Sequence, residues 1–507
     1  MAVGTMISLG LYFLVMLGIG WYSFKESDTN VEGYMLGGRK LGPAVTALSA
    51  GASDMSGWML MGLPGAMYVA GISAMWIAVG LTIGAFANYI LVAPRLRVYT
   101  EIANNAITLP DYFENRFADN SRMLRVIASV VIVIFFTLYT SSGVVAGGKL
   151  FESSFNLSYE LGLYVTAGVV VAYTLIGGFM AVSMTDFVQG CIMFVALVLV
   201  PIVAFAELGG YSDVVGQVKD INPQFLDFFM DGSTGESLAA LGIISLLAWG
   251  LGYFGQPHII VRFMAIRSVS DIKNARRIGI SWMFVSIIGA MATGFVGIAY
   301  VAETQMTLND AETIFIIFSQ FLFHPLIGGF LLAAILAAIM STISSQLLVS
   351  SSSLTEDFYK AFLRKDASDK ELVAVGRISV LLVSLVAIWL AWNPENTILS
   401  LVSNAWAGFG AAFGPVVILS LFWRRMNRHG ALAGMLLGAI TVLIWIYGPT
   451  VGGEHLSAYV YEIVPGFIIS TIAIIVGSLV TAEPDQNLRD KFDEMEQIMD
   501  DHYHTAK

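Results

Sequence analysis

The most unusual stretch of the chain for its chemistry is an apolar segment with an acid, serines and glycines at its middle. Residues 49–58 read Ser-Ala-Gly-Ala-Ser-Asp-Met-Ser-Gly-Trp. A charged side chain inside a membrane helix is costly unless it faces protein, water or an ion, so Asp54 is a candidate functional residue. The glycines weaken the helix, and irregular backbone at that depth is tolerated where it lines a cavity. The alternative is a helix kink in which neighbours hydrogen-bond Asp54.

A second interruption lies in the middle of another apolar run. The sequence there is Trp249-Gly-Leu-Gly-Tyr-Phe-Gly-Gln-Pro257, rich in glycine and closed by a proline. Paired breaks of this kind are typical of transporters built from inverted repeats, in which substrate and ions bind at the breaks.

A third polar segment, residues 337–345, contains four hydroxyls within five residues. Ala338, Ser341, Thr342 and Ser345 follow the spacing i, i+3, i+4 and i+7, so they share one face of a helix. Hydroxyls beside carbonyls freed by an unwound helix are suitable ligands for a hard cation. Packing between helices, or bonds from the hydroxyls to the preceding turn, is the alternative.

The composition indicates that a membrane positions these segments. Of the 507 residues, 57% are apolar and 12% are charged, against roughly 45–50% and about 25% in soluble domains. The sequence therefore predicts an all-α polytopic membrane protein. Its one cysteine, Cys191, excludes an internal disulfide framework and a cysteine-based metal site. The first apolar run lacks a basic leader and a cleavage site, which predicts a retained helix.

Runs of about twenty apolar residues span a bilayer, and the chain contains thirteen such runs. The predicted spans lie near Gly4–Phe24, Gly42–Val69, Ser73–Ala93, Leu124–Gly148, Leu161–Ile176, Phe187–Phe205, Leu238–Ile260, Ile278–Val301, Leu326–Leu348, Glu371–Trp392, Ile398–Trp423, Ala431–Tyr447 and Val464–Val480.

The distribution of basic residues predicts the orientation of these spans. Every lysine and arginine except Lys149 and Lys219 falls in alternate loops or in the tail. Arg262 is assigned to one of these loops, and Lys507 to the tail. Cytoplasmic loops are the ones enriched in basic residues. The protein is therefore predicted to lie in the bacterial cytoplasmic membrane, with its amino terminus outside the cell and its carboxyl terminus in the cytoplasm.

The second and seventh spans, which contain the two breaks, are five apart and run in opposite directions. This relation predicts a 5+5 inverted repeat of spans 2–6 and 7–11. The predicted segments are an extra amino-terminal helix with its loop (1–41), the first repeat (42–206), an acidic outer loop (207–237), the second repeat (238–428), extra carboxyl-terminal helices (429–482) and a tail (483–507).

Long stretches along the chain match one family in order. They are Leu36–Gly42, Thr46–Trp58, Leu109–Phe113, Gly250–His258, the hydroxyl segment 337–345 and Ala405–Pro415. On these residues the chain resembles the solute:sodium symporter family over nearly its whole length. The resemblance implies a fold similar to the leucine-transporter architecture and sodium-coupled uptake of L-proline.

The resemblance also implies two sites that share the first break. The sodium ligands would be the carbonyls of Ala52, Met55 and Ala338 and the hydroxyls of Ser341 and Thr342, with Asp54 in support. The proline pocket would be formed by Ser56, Trp58, Tyr139, Trp249, Tyr253, Gln256 and Pro257. Helix amino termini and aromatic faces suit a small zwitterion, although ordinary packing also explains the aromatic residues.

One departure from the pattern concerns a second ion. Well-known sodium/proline symporters have a cysteine where this chain has Ser345, and other members with serines here bind a second sodium. The resemblance thus implies a second sodium site at Asp186, Ser344 and Ser345. The alternative is that Asp186 caps the sixth helix from a loop.

The sequence lacks a nucleophile, metal or phosphate motif, so we expect a transporter and not an enzyme. Sodium, L-proline and the lipid bilayer are the expected partners, without nucleic acid or an obligate protein partner. Symport of another amino acid, a sugar or pantothenate, or coupling to protons, remains open. A proline sensor is disfavoured because the tail is too short to form a signalling domain.

Overall fold

The computed structural model describes residues 2–26, 30–393 and 397–504, and its regular structure is nearly all helical. The start of the first predicted segment, Met1, and the end of the last one, Lys507, lie outside the described residues. The α-helices are α1 (Val3–Glu26), α2 (Val31–Leu36), α3 (Pro43–Asp54), α4 (Leu63–Ala70), α5 (Met75–Leu91), α6 (Ala93–Ile102), α7 (Leu109–Arg116), α8 (Met123–Phe155), α9 (Tyr159–Glu207), α10 (Tyr211–Ile221), α11 (Ala240–Leu247), α12 (Pro257–Ala265), α13 (Ile272–Thr304), α14 (Ile314–Phe321), α15 (Pro325–Ser352), α16 (Asp369–Leu390), α17 (Ile398–Phe422), α18 (Arg428–Tyr447), α19 (Ile463–Leu479) and α20 (Gln486–Met499).

Shorter elements join these helices. Turns of 3₁₀ helix lie at Gly37–Arg39, Gly71–Ala74, Pro223–Leu226, Ala248–Gly255, Val269–Asp271, Ala311–Thr313 and Leu456–Ala458, and π-helical turns lie at Trp58–Gly62, Ser353–Leu363 and Asp500–His504. Strands β1 (Thr450–Val451) and β2 (Glu454–His455) form an antiparallel hairpin in which Thr450 pairs with His455.

Nine helical runs in the described part of the chain are long and apolar enough to cross a membrane. Three further apolar helices, Ala240–Gly255, Ala311–Phe321 and Ile463–Leu479, are shorter. The predicted helical, polytopic class is therefore confirmed, whereas the number of thirteen spans stays a prediction. The longest run, α9, covers both the fifth and the sixth predicted spans without an intervening loop.

A sharp bend at Gly178 divides α9 into these two halves. Its φ of 59° and ψ of −148° lie in a region open essentially only to glycine. A Cβ at this position would also lie 2.6 Å from Tyr34 Cδ2. The bend allows the two halves of α9 to run separately through the bundle, and the second half carries Asp186.

The first predicted break is present between α3 and α4. Helix α3 ends at Asp54, and Met55 has a non-helical ψ of 87°. The Ser56 amide donates to Asp54 O (3.1 Å) and not to Ala52 O, its partner in a regular helix. The carbonyl of Ala52 is thereby released for other contacts.

The second predicted break is present between α11 and α12. Residues 248–255 form a tight 3₁₀ segment, Gln256 is extended with φ −82° and ψ 107°, and Pro257 starts α12. Proline suits a first helical position because its missing amide hydrogen has no partner there. The Gly252 position faces α17, where a Cβ would lie 1.9 Å from Trp406 Nε1. Glycine thus permits the close approach of α17 to this break.

Helices α15 and α17 lie at the centre of the molecule. In their most apolar windows 83% of the residues are buried, against 22% for α1 at the periphery. Helix α15 packs against α1, α3, α8 and α9, and α17 packs against the 3₁₀ segment 248–255. The two breaks therefore meet the two most buried of the membrane-length helices in the described part of the chain.

Candidate functional site

The carbonyl released at the first break meets the hydroxyl face of α15. Ser341 Oγ donates to Ala52 O (2.6 Å) and lies 3.1 Å from Ala338 O. Thr342 Oγ1 lies 3.4 Å from Ala52 O and 3.3 Å from Ala338 O. Four of the predicted sodium ligands are thus brought together from two helices. Met55, the remaining predicted ligand, is buried and directly follows α3.

The hydroxyls of α15 also bond to their own helix, as the alternative interpretation expected. Ser344 Oγ and Ser345 Oγ both donate to Ser341 O, at 3.1 and 2.8 Å. A hydroxyl rotates about its C–O bond and has two lone pairs, so a bond within the helix leaves acceptor capacity on the same oxygen. The cluster provides two carbonyl and two hydroxyl oxygens within a small volume, which suits a small hard cation.

Asp54 connects the two breaks. Its Oδ2 accepts a hydrogen bond of 2.5 Å from the Tyr253 hydroxyl, and its backbone oxygen accepts one of 3.0 Å from Trp58 Nε1. Its other carboxylate oxygen, Oδ1, is buried and has no hydrogen-bond partner among the described residues. The carboxyl group is therefore half satisfied, and a buried acceptor in this state favours binding of a cation or a water molecule.

A small cavity of about 20 Å³ lies beside this carboxyl group. Its lining includes Asp54, Asn88, Tyr89 and Tyr253, and the Asn88 amide oxygen is likewise buried without a partner among the described residues. A volume of this size accommodates about one water-sized particle. Space for one small polar occupant thus exists on the side of α3 next to α5 and α13.

The aromatic residues predicted for the substrate pocket are all buried. Trp58, Tyr139, Trp249 and Tyr253 are between 1% and 7% exposed. The Tyr139 hydroxyl lies close to the side chains of Ser56 and Trp58, and it has no hydrogen-bond partner in the described part of the chain. Aromatic faces and a free hydroxyl therefore surround the first break.

The polar groups of the second break are oriented by α17. Gln256 Nε2 donates to Trp406 O (3.0 Å), which leaves Gln256 Oε1 without a partner among the described residues. Pro257 follows directly as the first residue of α12. The predicted residues of this break are thus close to one another and fixed against a central helix.

Two aromatic residues of this region were missed by the sequence analysis. Trp406 Nε1 donates to Trp249 O (2.8 Å), and the Trp406 ring meets Tyr253 edge-on with centroids 5.0 Å apart. Tyr461 stacks on Trp249 with centroids 5.3 Å apart. Trp406 lies in the stretch Ala405–Pro415, which was noted only as a match to the family, and nothing in the sequence around Tyr461 indicated its position.

The surroundings of Asp186 differ from the expectation in two respects. Asp186 lies inside α9 and is fully buried, so the loop-cap alternative is wrong. Arg262, which we assigned to a loop, lies in α12 with no exposed surface and is paired to Asp186 at 3.1 Å. The assignment failed because α12 continues for five residues beyond the predicted seventh span, Leu238–Ile260.

The second-sodium residues meet around this arginine. Ser345 Oγ accepts from Arg262 Nη2 (2.7 Å), the same nitrogen that pairs with Asp186. Ser344 lies beside Ser345 but bonds within α15. The Arg262 guanidinium therefore already binds Asp186 Oδ2 and Ser345 Oγ, two oxygen atoms that were predicted to bind a second sodium ion.

Comparison with known proteins gives consistent results. Residues 34–438 match the sequence profile of the sodium:solute symporter family. The osmoregulated proline transporter of Bacillus subtilis is 58% identical over 499 residues, covering 98% of this chain and 99% of that protein. The high-affinity proline transporter of the same organism is 58% identical, covering 96% and 100% of the two chains. Sodium/proline symporter 2 of Staphylococcus saprophyticus is 56% identical, covering 98% and 96%.

Solved structures with the same fold are more distant in sequence. The substrate-bound, outward-open structure of a Na⁺-coupled sialic acid symporter matches with a TM-score of 0.80 and 20% identity, covering 96% of this chain and 99% of the other. A nucleobase-cation-symport-1 family transporter in a closed conformation matches with a TM-score of 0.54 and 13% identity, covering 91% and 98%.

Proposed function

The chain belongs to the sodium:solute symporter family, and from this premise we propose that it takes up L-proline together with sodium across the cytoplasmic membrane by alternating access. Members of this family are transporters and not enzymes. Relatives at 56–58% identity over nearly the whole chain are named as proline transporters. The observation that carries the proposal is that one break, between α3 and α4, borders both the oxygen cluster on α15 and the aromatic pocket.

Sodium binds at the junction of α3 and α15 in this proposal. Its ligands are the carbonyls of Ala52, Met55 and Ala338 and the hydroxyls of Ser341 and Thr342. The short contacts from Ser341 and Thr342 to Ala52 O support this assignment. Asp54 supports the ion from the same break, where its Oδ1 is a buried acceptor with no partner in the described part of the chain.

L-Proline binds on the other side of the same break. Its carboxylate interacts with amide groups at the helix termini, where the dipole favours negative charge. Its ring and secondary ammonium pack against aromatic faces. The proposed pocket consists of Ser56, Trp58, Tyr139, Trp249, Tyr253, Gln256 and Pro257, with Trp406 holding the second break in position.

Coupling follows from the shared segment. Sodium attaches the released end of α3 to α15 and thereby fixes Ser56 and Trp58 for the substrate, so each ligand favours binding of the other. One charge crossing 100 mV provides about 2.3 kcal/mol, and a tenfold sodium gradient adds about 1.4 kcal/mol. One ion therefore suffices for accumulation on the order of several hundredfold.

The proposed topology has thirteen spans with the amino terminus outside and the carboxyl terminus inside. Spans 2–6 and 7–11 form the inverted repeats, and spans 1, 12 and 13, which correspond to α1, α18 and α19, are additions. The likeness in fold to two solved symporters supports this arrangement. The bend at Gly178 supplies the inner turn between spans 5 and 6.

Labelled-proline counterflow in proteoliposomes tests the function. We expect exchange that requires sodium and is competed by unlabelled proline but not by a sugar, pantothenate or other amino acids at equal concentration. Exchange at full rate without sodium would refute the ion assignment, and failure of proline to compete would refute the substrate assignment. Protein reconstituted with Ser341→Ala serves as the impaired control, because it loses one proposed sodium ligand.

A further inference from the structure

A fully buried arginine lies at the centre of a charged cluster that the proposed transport mechanism does not use. Arg262 on α12, Asp186 on α9, Ser49 on α3 and Ser345 on α15 each have no exposed surface. The cluster therefore joins four helices that come from both proposed repeats.

The guanidinium is almost fully satisfied in this cluster. Nε donates to Ser49 Oγ (3.0 Å), Nη1 donates to His258 O (2.7 Å), and Nη2 donates to Asp186 Oδ2 (3.1 Å) and Ser345 Oγ (2.7 Å). The Phe179 ring covers one face with 5.2 Å between its centroid and Arg262 Cζ. A buried ion pair is retained only when further hydrogen bonds satisfy both ions, and this geometry meets that condition for the cation.

The carboxylate is less completely satisfied than the guanidinium. Asp186 Oδ2 also accepts from Ser49 Oγ at 2.7 Å, whereas Oδ1 is buried without a partner among the described residues. Without the guanidinium, the carboxylate and the Ser49 and Ser345 hydroxyls would form an oxygen-rich site for a cation.

The cluster repeats the geometry of the proposed sodium site further along the same two helices. Ser49 precedes Ala52 by three residues on α3, and Ser345 follows Ser341 by four on α15. Each offset is about one helical turn, or roughly 5 Å. Helices α3 and α15 are thus connected at two successive turns. At the first, Ala52 and Ser341 carry oxygens proposed to bind sodium, and at the second, Arg262 bonds to Ser49 and Ser345.

We propose that the Arg262 guanidinium is a resident cation that occupies the Asp186 site, bridges α3, α9, α12 and α15, and prevents a second sodium ion from binding there. This inference rests on the proposed function, because it specifies which of the two turns exchanges its cation during transport. Asp54, whose Oδ1 lacks a partner in the described part of the chain, is then the buried acid that a transported sodium neutralises.

The number of sodium ions moved per proline tests this proposal. It is obtained in proteoliposomes from the membrane potential at which net proline flux stops under fixed gradients. We expect one sodium per proline for the native protein and for Arg262→Lys, which keeps a cation in place. We expect two for Arg262→Ala, with the Hill coefficient for sodium rising from about one to about two.

The matched control is the double variant Arg262→Ala/Asp186→Asn, which removes both charges and should return to one sodium per proline. A ratio of two in the native protein, or a ratio of one in folded Arg262→Ala, would overturn the inference while leaving sodium-coupled uptake intact. If Arg262→Ala does not fold, Arg262→Gln, which removes the charge but keeps a hydrogen-bonding side chain, replaces it: two sodium ions per proline support the inference and one contradicts it. Proline flux independent of sodium would overturn the proposed function and this inference together.

Discussion

Asp54 has two carboxylate oxygens in different situations, and the difference suggests separate roles for them. Oδ2 is held by the Tyr253 hydroxyl at 2.5 Å, whereas Oδ1 is buried with no partner in the described part of the chain. The first contact orients the carboxyl group between the two breaks. The second oxygen is a buried acceptor that a bound cation or water molecule can satisfy.

Two variants separate the charge of Asp54 from its orientation. Asp54→Asn keeps the size and removes the charge, so we expect the sodium concentration for half-maximal proline binding to rise about tenfold or more, since contacts to charged groups are worth about 1.5–3 kcal/mol. Tyr253→Phe keeps the charge and removes one hydrogen bond, so its sodium dependence should change by less than that of Asp54→Asn.

The measurement is equilibrium binding of labelled proline at stepped sodium concentrations. Thermal unfolding of each purified variant controls for folding. Native sodium dependence in a folded Asp54→Asn protein would eliminate the proposed role of this charge and would favour a simple helix kink.

Glu462 provides a pH-dependent effect outside the membrane-spanning segments. It directly precedes α19, is 2% exposed, and has one carboxylate oxygen without a partner among the described residues. Burial raises the pKa of this carboxyl group to about 7, although a helix amino terminus ordinarily favours the charged form. The folded protein therefore binds this proton more tightly than the unfolded chain.

The sign of the effect on stability follows from this raised pKa. The protonated form is the one stabilised by folding, so its contribution is complete below the ordinary glutamate pKa and is lost as pH rises towards 7. We expect the native protein to lose up to about 3 kcal/mol relative to Glu462→Gln between pH 5 and pH 8. Thermal unfolding midpoints in detergent at the two pH values measure the difference.

The control for this prediction is Glu454→Gln, which changes an exposed glutamate on strand β2. Its unfolding midpoint should follow the native protein at both pH values. The remaining titratable groups are common to the three proteins, so their contributions cancel in the comparison. Parallel pH profiles for the native protein and Glu462→Gln would contradict the assignment.

Among the helices, both breaks could be inferred from the sequence, and the bend at Gly178 lies between the fifth and sixth predicted spans, Leu161–Ile176 and Phe187–Phe205. Gly57, Pro64, Gly250 and Pro257 weaken or end helices by local chemistry, so both interruptions could be inferred from the sequence. Gly178 is the second residue of a Gly-Gly pair in this gap, but its positive φ depends on how the two halves of α9 pack. The local sequence therefore indicated the position of the turn but not the continuous, sharply bent helix that forms it.

The bend at Gly178 predicts a large difference between two glycines of the same helix. Gly178→Ala requires a Cβ at φ 59° and 2.6 Å from Tyr34 Cδ2. A strained backbone of this kind costs on the order of 1–3 kcal/mol, before the clash is counted. We expect a lower thermal unfolding midpoint and loss of uptake.

Gly168→Ala is the matched control, because a Cβ there meets no atom within 4 Å. Alanine stabilises a helix interior by roughly 0.5–1 kcal/mol over glycine, so this variant should be at least as stable as the native protein. Equal stability of the two variants would contradict a structural role for the bend.

The position of Arg262 could not be predicted from hydropathy. A basic residue just beyond a predicted span is assigned to a loop by the rule that orients membrane proteins. In the structure α12 extends to Ala265 and buries the guanidinium against Asp186. The pairing joins residues 76 positions apart in the sequence, so neither one alone indicated the other.

Across the whole molecule, the sequence pattern predicted which site residues share a helix face, and the family resemblance predicted which helices meet at the site. The spacing of Ser341 and Thr342 on one helix face followed from periodicity, but their contact with Ala52, 289 and 290 positions away, depended on the tertiary fold. The resemblance supplied that pairing, and the structure has it. Trp406 and Tyr461 were missed because contacts across the bundle are not encoded in local patterns.

We propose that sodium and proline are coupled through the break between α3 and α4. Thermodynamic linkage requires each ligand to change the affinity for the other by the same factor. Calorimetric titration of purified protein measures the proline Kd with and without sodium and the sodium Kd with and without proline. We predict that both affinities increase by one common factor, about tenfold or more, as expected for a coupling energy of about 1.4 kcal/mol. A proline affinity that is unchanged by sodium would contradict the account.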